Sequence, residues 1–128
     1  MKLLRSISAL FLITALLSFN SIIDEVVSAF KVGDAVRVSR YFDQMVELSL
    51  NEKSRTYSKS QAEMIVRDFF SSKGVKSFTV AHRGNTNDTE YFVGSLSTEN
   101  GEFRTTVFMK IRGDKKFIQE LRFDSDSR

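Results

Sequence analysis

The chain has no cysteine, no proline, no tryptophan and a single histidine among 128 residues. Each absence closes a class of mechanism. Without cysteine there is no disulfide, no thiolate nucleophile, no thiolate metal ligand and no lipid attachment through an N-terminal cysteine. With His82 as the one imidazole, a transition-metal site would have to be built from carboxylates, and no metal or other cofactor is expected. "DSDSR" at the C-terminal end lacks the glycine and bidentate glutamate of a helix-loop-helix calcium loop. There is no Gly-x-Ser-x-Gly elbow, and "VGSLS" reads as strand. The lack of proline fits a compact domain without extended spacers. No apolar run reaches the roughly 18 residues that cross a bilayer.

The longest apolar run, "ISALFLITALL" at residues 7–17, follows Lys2 and Arg5 and precedes the small and polar "SFNS". This is the layout of a secretory signal peptide, so residues 1–21 are expected to be a cleaved leader, with the cut between Ser18 and Ile22. The formal charge of +3 shrinks once the leader is set aside. Lys2 and Arg5 leave with it and no acid does, so 17 basic face 16 acidic residues, or +1. Nucleic-acid binding loses its electrostatic motive, and no membrane contact is expected after leader removal. An exported chain without cysteine points to a bacterial envelope, secreted or periplasmic. The remaining length suits one domain with its own core, residues 22–124, followed by a frayed tail at 125–128.

"IIDEVVSAFKVG" sets Ile22, Ile23, Val26, Val27 and Phe30 on one helical face, with Gly33 at a left-handed stop and Asp34 as the next cap. "AVRVSRYF" fits a strand through Val36 and Val38, and equally a helix through Ala35, Val38, Tyr41 and Phe42. "QMVELSL" alternates as a half-buried strand. "NEKSRT" reads as a turn-rich connection. In "YSKSQAEMIVRDFF" the pairs Ser58/Gln61 and Ser60/Glu63 can each form a capping box. Ala62, Ile65, Val66, Phe69 and Phe70 then form one apolar stripe that ends at Lys73-Gly74.

Beyond Gly74 the period changes to two. Four strands follow, broken at "GNTND", at Asn100-Gly101 and at Gly113-Asp114, as an antiparallel meander. Helices grouped before a meander indicate an α+β fold, with N-terminal helices packed on the concave face of a bent antiparallel sheet. Gly94 permits the bend. The result is a cone.

The order helix, Gly-Asp, helix ending in Tyr-Phe, strand, helix, bent meander resembles the nuclear transport factor 2-like (cystatin-like) superfamily. More closely, the chain is similar to a small secreted family known as domain of unknown function 4783. The segments that carry the likeness are "VVSAFKVGDAVRVSRYFDQMVELSL", "YSKSQAEMIVRDFF", "SFTVAHRG", "YFVGSLSTENGEFR" and "IQELRF", which together span the mature chain. The resemblance implies that "AVRVSRYF" is helix. It implies no catalytic residues. Enzymes on the wider fold place a His, an Asp or both inside the cone, but fold does not determine function.

Strand parity puts His82 on the face of Phe78 and Val80, so it is expected to point inward. It could serve as a general base, or it could close a strand end by hydrogen bonding. A base needs an orienting carboxylate. Glu47 faces outward by parity, and Glu90, Glu99 and Glu102 lie near hairpin ends, so no catalytic residue is assigned. The residues expected to line a cavity in the cone are Tyr41, Phe69, Phe78, His82, Tyr91 and Phe103. On the outer sheet face Phe108 travels with Arg104 and Lys110. Ile118 and Leu121 take opposite faces unless a bulge intervenes. Phe108 and Ile118 are therefore the expected seat of a homodimer.

Three motif matches are set aside. "NDT" at Asn87 fits a glycosylation acceptor that a bacterial source leaves idle. "RGD" at 112–114 is ordinary hairpin chemistry. "QMVEL" is similar to the Gln-x-Val-x-Gly loop of cystatin inhibitors, but Leu48 replaces the glycine. The expected function is a non-enzymatic exported module for a small apolar ligand or a protein partner. The alternatives are an isomerase, dehydratase or hydrolase using His82, and a structural dimeric envelope protein.

Overall fold

The computed structural model describes residues 21–126. The leader expected at residues 1–21 lies outside the described residues except for Ser21, as do the last two residues of the expected tail. Ser21 caps the first helix, α1 (Ile22–Lys31), by accepting from the Asp24 amide at 3.1 Å. Asp24 and Glu25 in the first turn suit the positive end of the helix. Ile23, Val26, Val27, Ala29 and Phe30 are buried. The chain then turns at Gly33, where φ is +66° and a Cβ would sit 2.9 Å from the Cβ of Val75. Asp34 caps α2 (Ala35–Ser39) by accepting from the Arg37 amide. The ambiguous "AVRVS" is therefore helix.

β1 (Phe42–Leu50) and β2 (Lys53–Ser58) form a hairpin whose turn is confined to Asn51 and Glu52, both at positive φ. β2 corrects the reading of "NEKSRT" as a connection. An edge strand of polar residues has no apolar alternation to reveal it; pairing with β1 makes it a strand. α3 (Lys59–Lys73) begins with the Ser58/Gln61 capping box and stops at Gly74, φ +72°. Its stripe faces the sheet through buried Ala62, Val66 and Phe70, with Ile65 and Phe69 half-buried beside them.

β3 (Val75–Asn85), β4 (Thr89–Thr98), β5 (Gly101–Arg112) and β6 (Lys115–Ser125) complete a curved, open six-stranded sheet in the order β2-β1-β6-β5-β4-β3. The meander is antiparallel throughout, but β1 joins β6 in parallel, so the sheet is not wholly antiparallel. The expected tail starts one residue too early: Ser125 still pairs with Phe103, and the Asp126 amide donates to the Glu102 carbonyl.

Of four register shifts in the sheet, two reset strand faces assigned from the sequence pattern. Between Val80 and His82 the pairing with β4 slips, and Ala81 is the extra residue. Between β5 and β6 the pairs Phe108–Glu120 and Met109–Ile118 leave Gln119 over. One extra residue inverts every side chain beyond it. Ile118 and Leu121 therefore both point into the core, and Ile118 is 0% exposed. The expectation that Ile118 forms part of an outer-face dimer contact is corrected.

Candidate functional site

The concave face is filled with rings. Phe30 of α1 touches Phe70, Phe78, Phe92 and Phe123 at centroid distances of 5.2–6.3 Å. Phe69 stacks on Phe123 at 4.5 Å and meets Phe103 edge-on at 5.1 Å. Phe69, Phe78 and Phe103, three of the expected lining residues, are thus brought together as core, packed against other side chains. Lys73 covers Phe103 from outside, its ammonium 5.6 Å from the ring centre. Tyr41 is half-buried at the margin of this core, and its hydroxyl donates to the Glu25 carboxylate. Burial, with that carboxylate beside it, holds the phenol pKa above the ordinary tyrosine value.

His82 and Tyr91 lie on the other side of the sheet. The Ala81 bulge turns His82 to the convex face, opposite Val93. Its Nε2 lies 3.2 Å from the Tyr91 hydroxyl, so its partner is a phenol and not a carboxylate. The Tyr91 ring lies over Gly84, its cross-strand neighbour; a Cβ there would come within 2.4 Å of the ring. Tyr91 also meets Phe108 at 5.8 Å. The inward placement expected for His82 is corrected, because the extra residue at Ala81 inverts the parity counted from Phe78 and Val80. Tyr91 alternates with Phe92, which is fully buried on the concave side.

The convex face is a grid of paired residues. One row across β1, β6, β5, β4 and β3 reads Ser49, Arg122, Thr106, Val93, His82. The row on one side reads Glu47, Glu120, Phe108, Tyr91, Gly84. On the other side Asp124 faces Arg104, which faces Ser95. Two shallow grooves, of about 370 and 400 Å³, run over this grid and share Val93 and Arg104. Burial, reinforced by the Glu47 carboxylate, pushes the Glu120 carboxyl up from its ordinary value.

Polar satisfaction varies along the sheet, with His82, Ser95 and Glu47 hydrogen-bonded on the convex face. At the sheet rim Asp43 accepts two hydrogen bonds from the Arg112 guanidinium, at 3.2 and 2.9 Å, and one from Gln119 at 3.1 Å. The Arg112 contact holds the Asp43 carboxyl below the usual range. Arg112 also stacks 5.2 Å over Phe117, so the arginine of "RGD" is committed within the chain. Nearby, Ser49 Oγ, Arg122 Nε and Asp124 Oδ1 are buried without a hydrogen-bond partner among the described residues. Sequence reading missed Arg122 and Asp124. Asp124 opens the serine–aspartate stretch at the end of the expected domain, and its register with Arg104 gives it a place on the sheet.

Among the described residues no cluster of three or more His, Asp or Glu side chains is placed to hold a metal ion. No helix there is long and apolar enough to cross a membrane.

The model of a protein family described as "Domain of unknown function (DUF4783)" matches residues 23–124. A solved DUF4783 family protein from Bacteroides uniformis is similar at 31% identity, with a TM-score of 0.80, over 84% of this chain and 100% of that one. A cystatin-like domain of unknown function from Nostoc punctiforme shares 10% identity at a TM-score of 0.62, over 81% and 72% of the two chains. An NTF2-like protein of unknown function from Cytophaga hutchinsonii shares 8% at 0.57, over 80% and 84%. The last two likenesses concern the fold alone. Comparison with curated proteins finds no match.

Proposed function

This chain belongs to the DUF4783 family, and we propose on that premise that it is a non-catalytic interaction module that binds a protein through the convex face of its sheet. One observation carries the reading: Tyr91, Val93 and Phe108 stand together on that face, half-buried, and with Arg104 they line its two shallow grooves. A half-buried apolar row set among charged neighbours suits a face that a protein partner covers. A small apolar ligand is the weaker reading, because rings occupy the concave face where it would sit. An enzyme using His82 is weaker still, because the imidazole faces outward against a phenol. Export belongs to the same proposal. It rests on the leader layout of residues 1–21, after which the first helix of the domain begins at Ile22.

A photo-crosslinker placed at Val93, in the cells that make the protein, tests the reading. It should yield a discrete protein adduct that Phe108→Glu abolishes, while a crosslinker at exposed Met64 on α3 yields none. A Val93 probe that captures no protein, together with a small apolar molecule held one-to-one in native mass spectrometry, would return the function to the cone.

A further inference from the structure

We propose that β2 is a docking strand: an extended segment of a partner protein, with acidic side chains at alternate positions, adds to its open edge. The site is separate from the convex face. β2 ends the sheet order, so one side of its backbone has no neighbouring strand among the described residues. In a two-residue hairpin the closing pair, here Leu50 and Lys53, exchanges hydrogen bonds. Alternation then leaves the amides and carbonyls of Ser54 and Thr56 pointing away from β1. Both residues are exposed. The opposite edge, β3, is a poorer template, because two register shifts interrupt its pairing, and bulges blunt an edge. β2 pairs with β1 over six consecutive positions without a shift.

Charge selects the occupant. β2 carries Lys53 and Arg55 and no acid. Arg55 stands opposite Leu48 and Tyr57 opposite Val46, both core residues, so Lys53, Arg55 and Tyr57 share the concave side. Neither cation takes part in an ion pair within 4.0 Å among the described residues. They stand two apart, about 6.6 Å along the strand. Side chains directly opposite each other on paired strands meet, so two acids at the same spacing on an added strand would face both cations at once. The next residue in that row would face Tyr57, which with Leu50 forms the apolar floor of a groove of about 560 Å³ bordered by Lys53 and Arg55. On the convex side Glu47 stands beside Thr56 and repels an acid there. The acids are thereby confined to one face of the incoming strand. Positive charge on an edge also repels a second edge like itself, so β2 admits an acidic strand and turns away its own kind.

The test is a titration of the purified chain with the blocked peptide Thr-Glu-Thr-Glu-Thr-Val-Thr, followed through backbone amide resonances. The amides of Ser54 and Thr56 should shift, and the same peptide with lysine in place of glutamate should leave them unmoved. The double variant Lys53→Glu, Arg55→Glu changes two exposed side chains. It should bind the glutamate peptide at least about tenfold more weakly and take up the lysine peptide instead. No shift up to about 1 mM peptide overturns the proposal, as does binding that the double variant leaves unchanged. Shifts that centre on Val93 and Phe108 also overturn it, and would assign the peptide to the convex face. Should the double variant fail to fold by circular dichroism, Lys53→Gln with Arg55→Gln takes its place, and unchanged affinity there overturns the charge selection. The Val93 adduct is a separate measurement, so failure at the edge leaves the convex-face reading to its own test.

Discussion

The two faces of one sheet answer to different demands. Along β4 the concave residues Phe92 and Leu96 are fully buried, while Tyr91, Val93 and Ser95 between them are half-buried on the other side. Along β5 Phe103, Val107 and Met109 enter the core, and Arg104, Thr106 and Phe108 alternate with them on the convex face. The concave set is closed: rings meet rings across the whole cluster. The convex set is open, with charges beside charges and polar atoms left over. Core burial therefore falls on every second residue of these strands, and the residues between stay partly exposed.

The largest expected effect compares two phenylalanines. Phe30→Ala should cost about 3–5 kcal/mol in urea denaturation, because a fully buried ring touching four others leaves a cavity. Phe108→Ala should cost less than about 1 kcal/mol in the folding of the isolated chain, since its half-buried ring sits on the convex face. Equal costs would show that the convex face is part of the core.

Two glycines sharpen the comparison at smaller amplitude. A Cβ on Gly94 would meet the Phe78 ring at 2.4 Å and the Thr79 carbonyl oxygen at 2.6 Å. Backbone on one side and a packed ring on the other cannot both yield, so Gly94→Ala should cost about 1–3 kcal/mol. On Gly84 the obstacle is the Tyr91 side chain alone, which can swing outward. Gly84→Ala should cost less than about 1 kcal/mol, yet displace Tyr91 from His82. The proton resonances of the single histidine ring would report this directly; an unshifted signal would mean that Tyr91 does not depend on the glycine.

The smallest effect is electrostatic. Burial and the neighbouring Glu47 raise the Glu120 carboxyl, so the folded state holds that proton more tightly than the unfolded chain does. Ionisation of Glu120 therefore subtracts stability, and the penalty appears as pH rises from the unfolded value through the raised folded one. Glu120→Gln removes the titration. Its stability relative to wild type should grow over that window and level off above it, by less than about 1 kcal/mol for so accessible a site. A difference that shrank with rising pH would mean that Arg122, not burial, governs Glu120.

Short-range physics made much of this fold legible in the sequence. Ser58 and Gln61 sit three apart because a capping box closes within one helical turn. Gly33 and Gly74 stand where the chain needs positive φ. The hairpin signals hold too, though at the β4–β5 hairpin the two loop residues are Glu99 and Asn100, with Gly101 opening β5. The period-two pattern marked the core faces of β4 and β5 because alternation survives wherever no residue is inserted. What the sequence could not determine depends on partners distant in the chain. β2 is a strand because β1 lies beside it, and β6 accepts β1 in parallel across some 70 intervening residues. The bulges at Ala81 and Gln119 are decided by how neighbouring strands meet, the first opposite Gly94, where Phe78 and the backbone of β3 crowd in. Each inverts the parity beyond it, sending His82 outward and Ile118 inward. A one-residue slip leaves no trace in composition or period, so the side on which the lone histidine and Ile118 stand was settled by tertiary pairing alone.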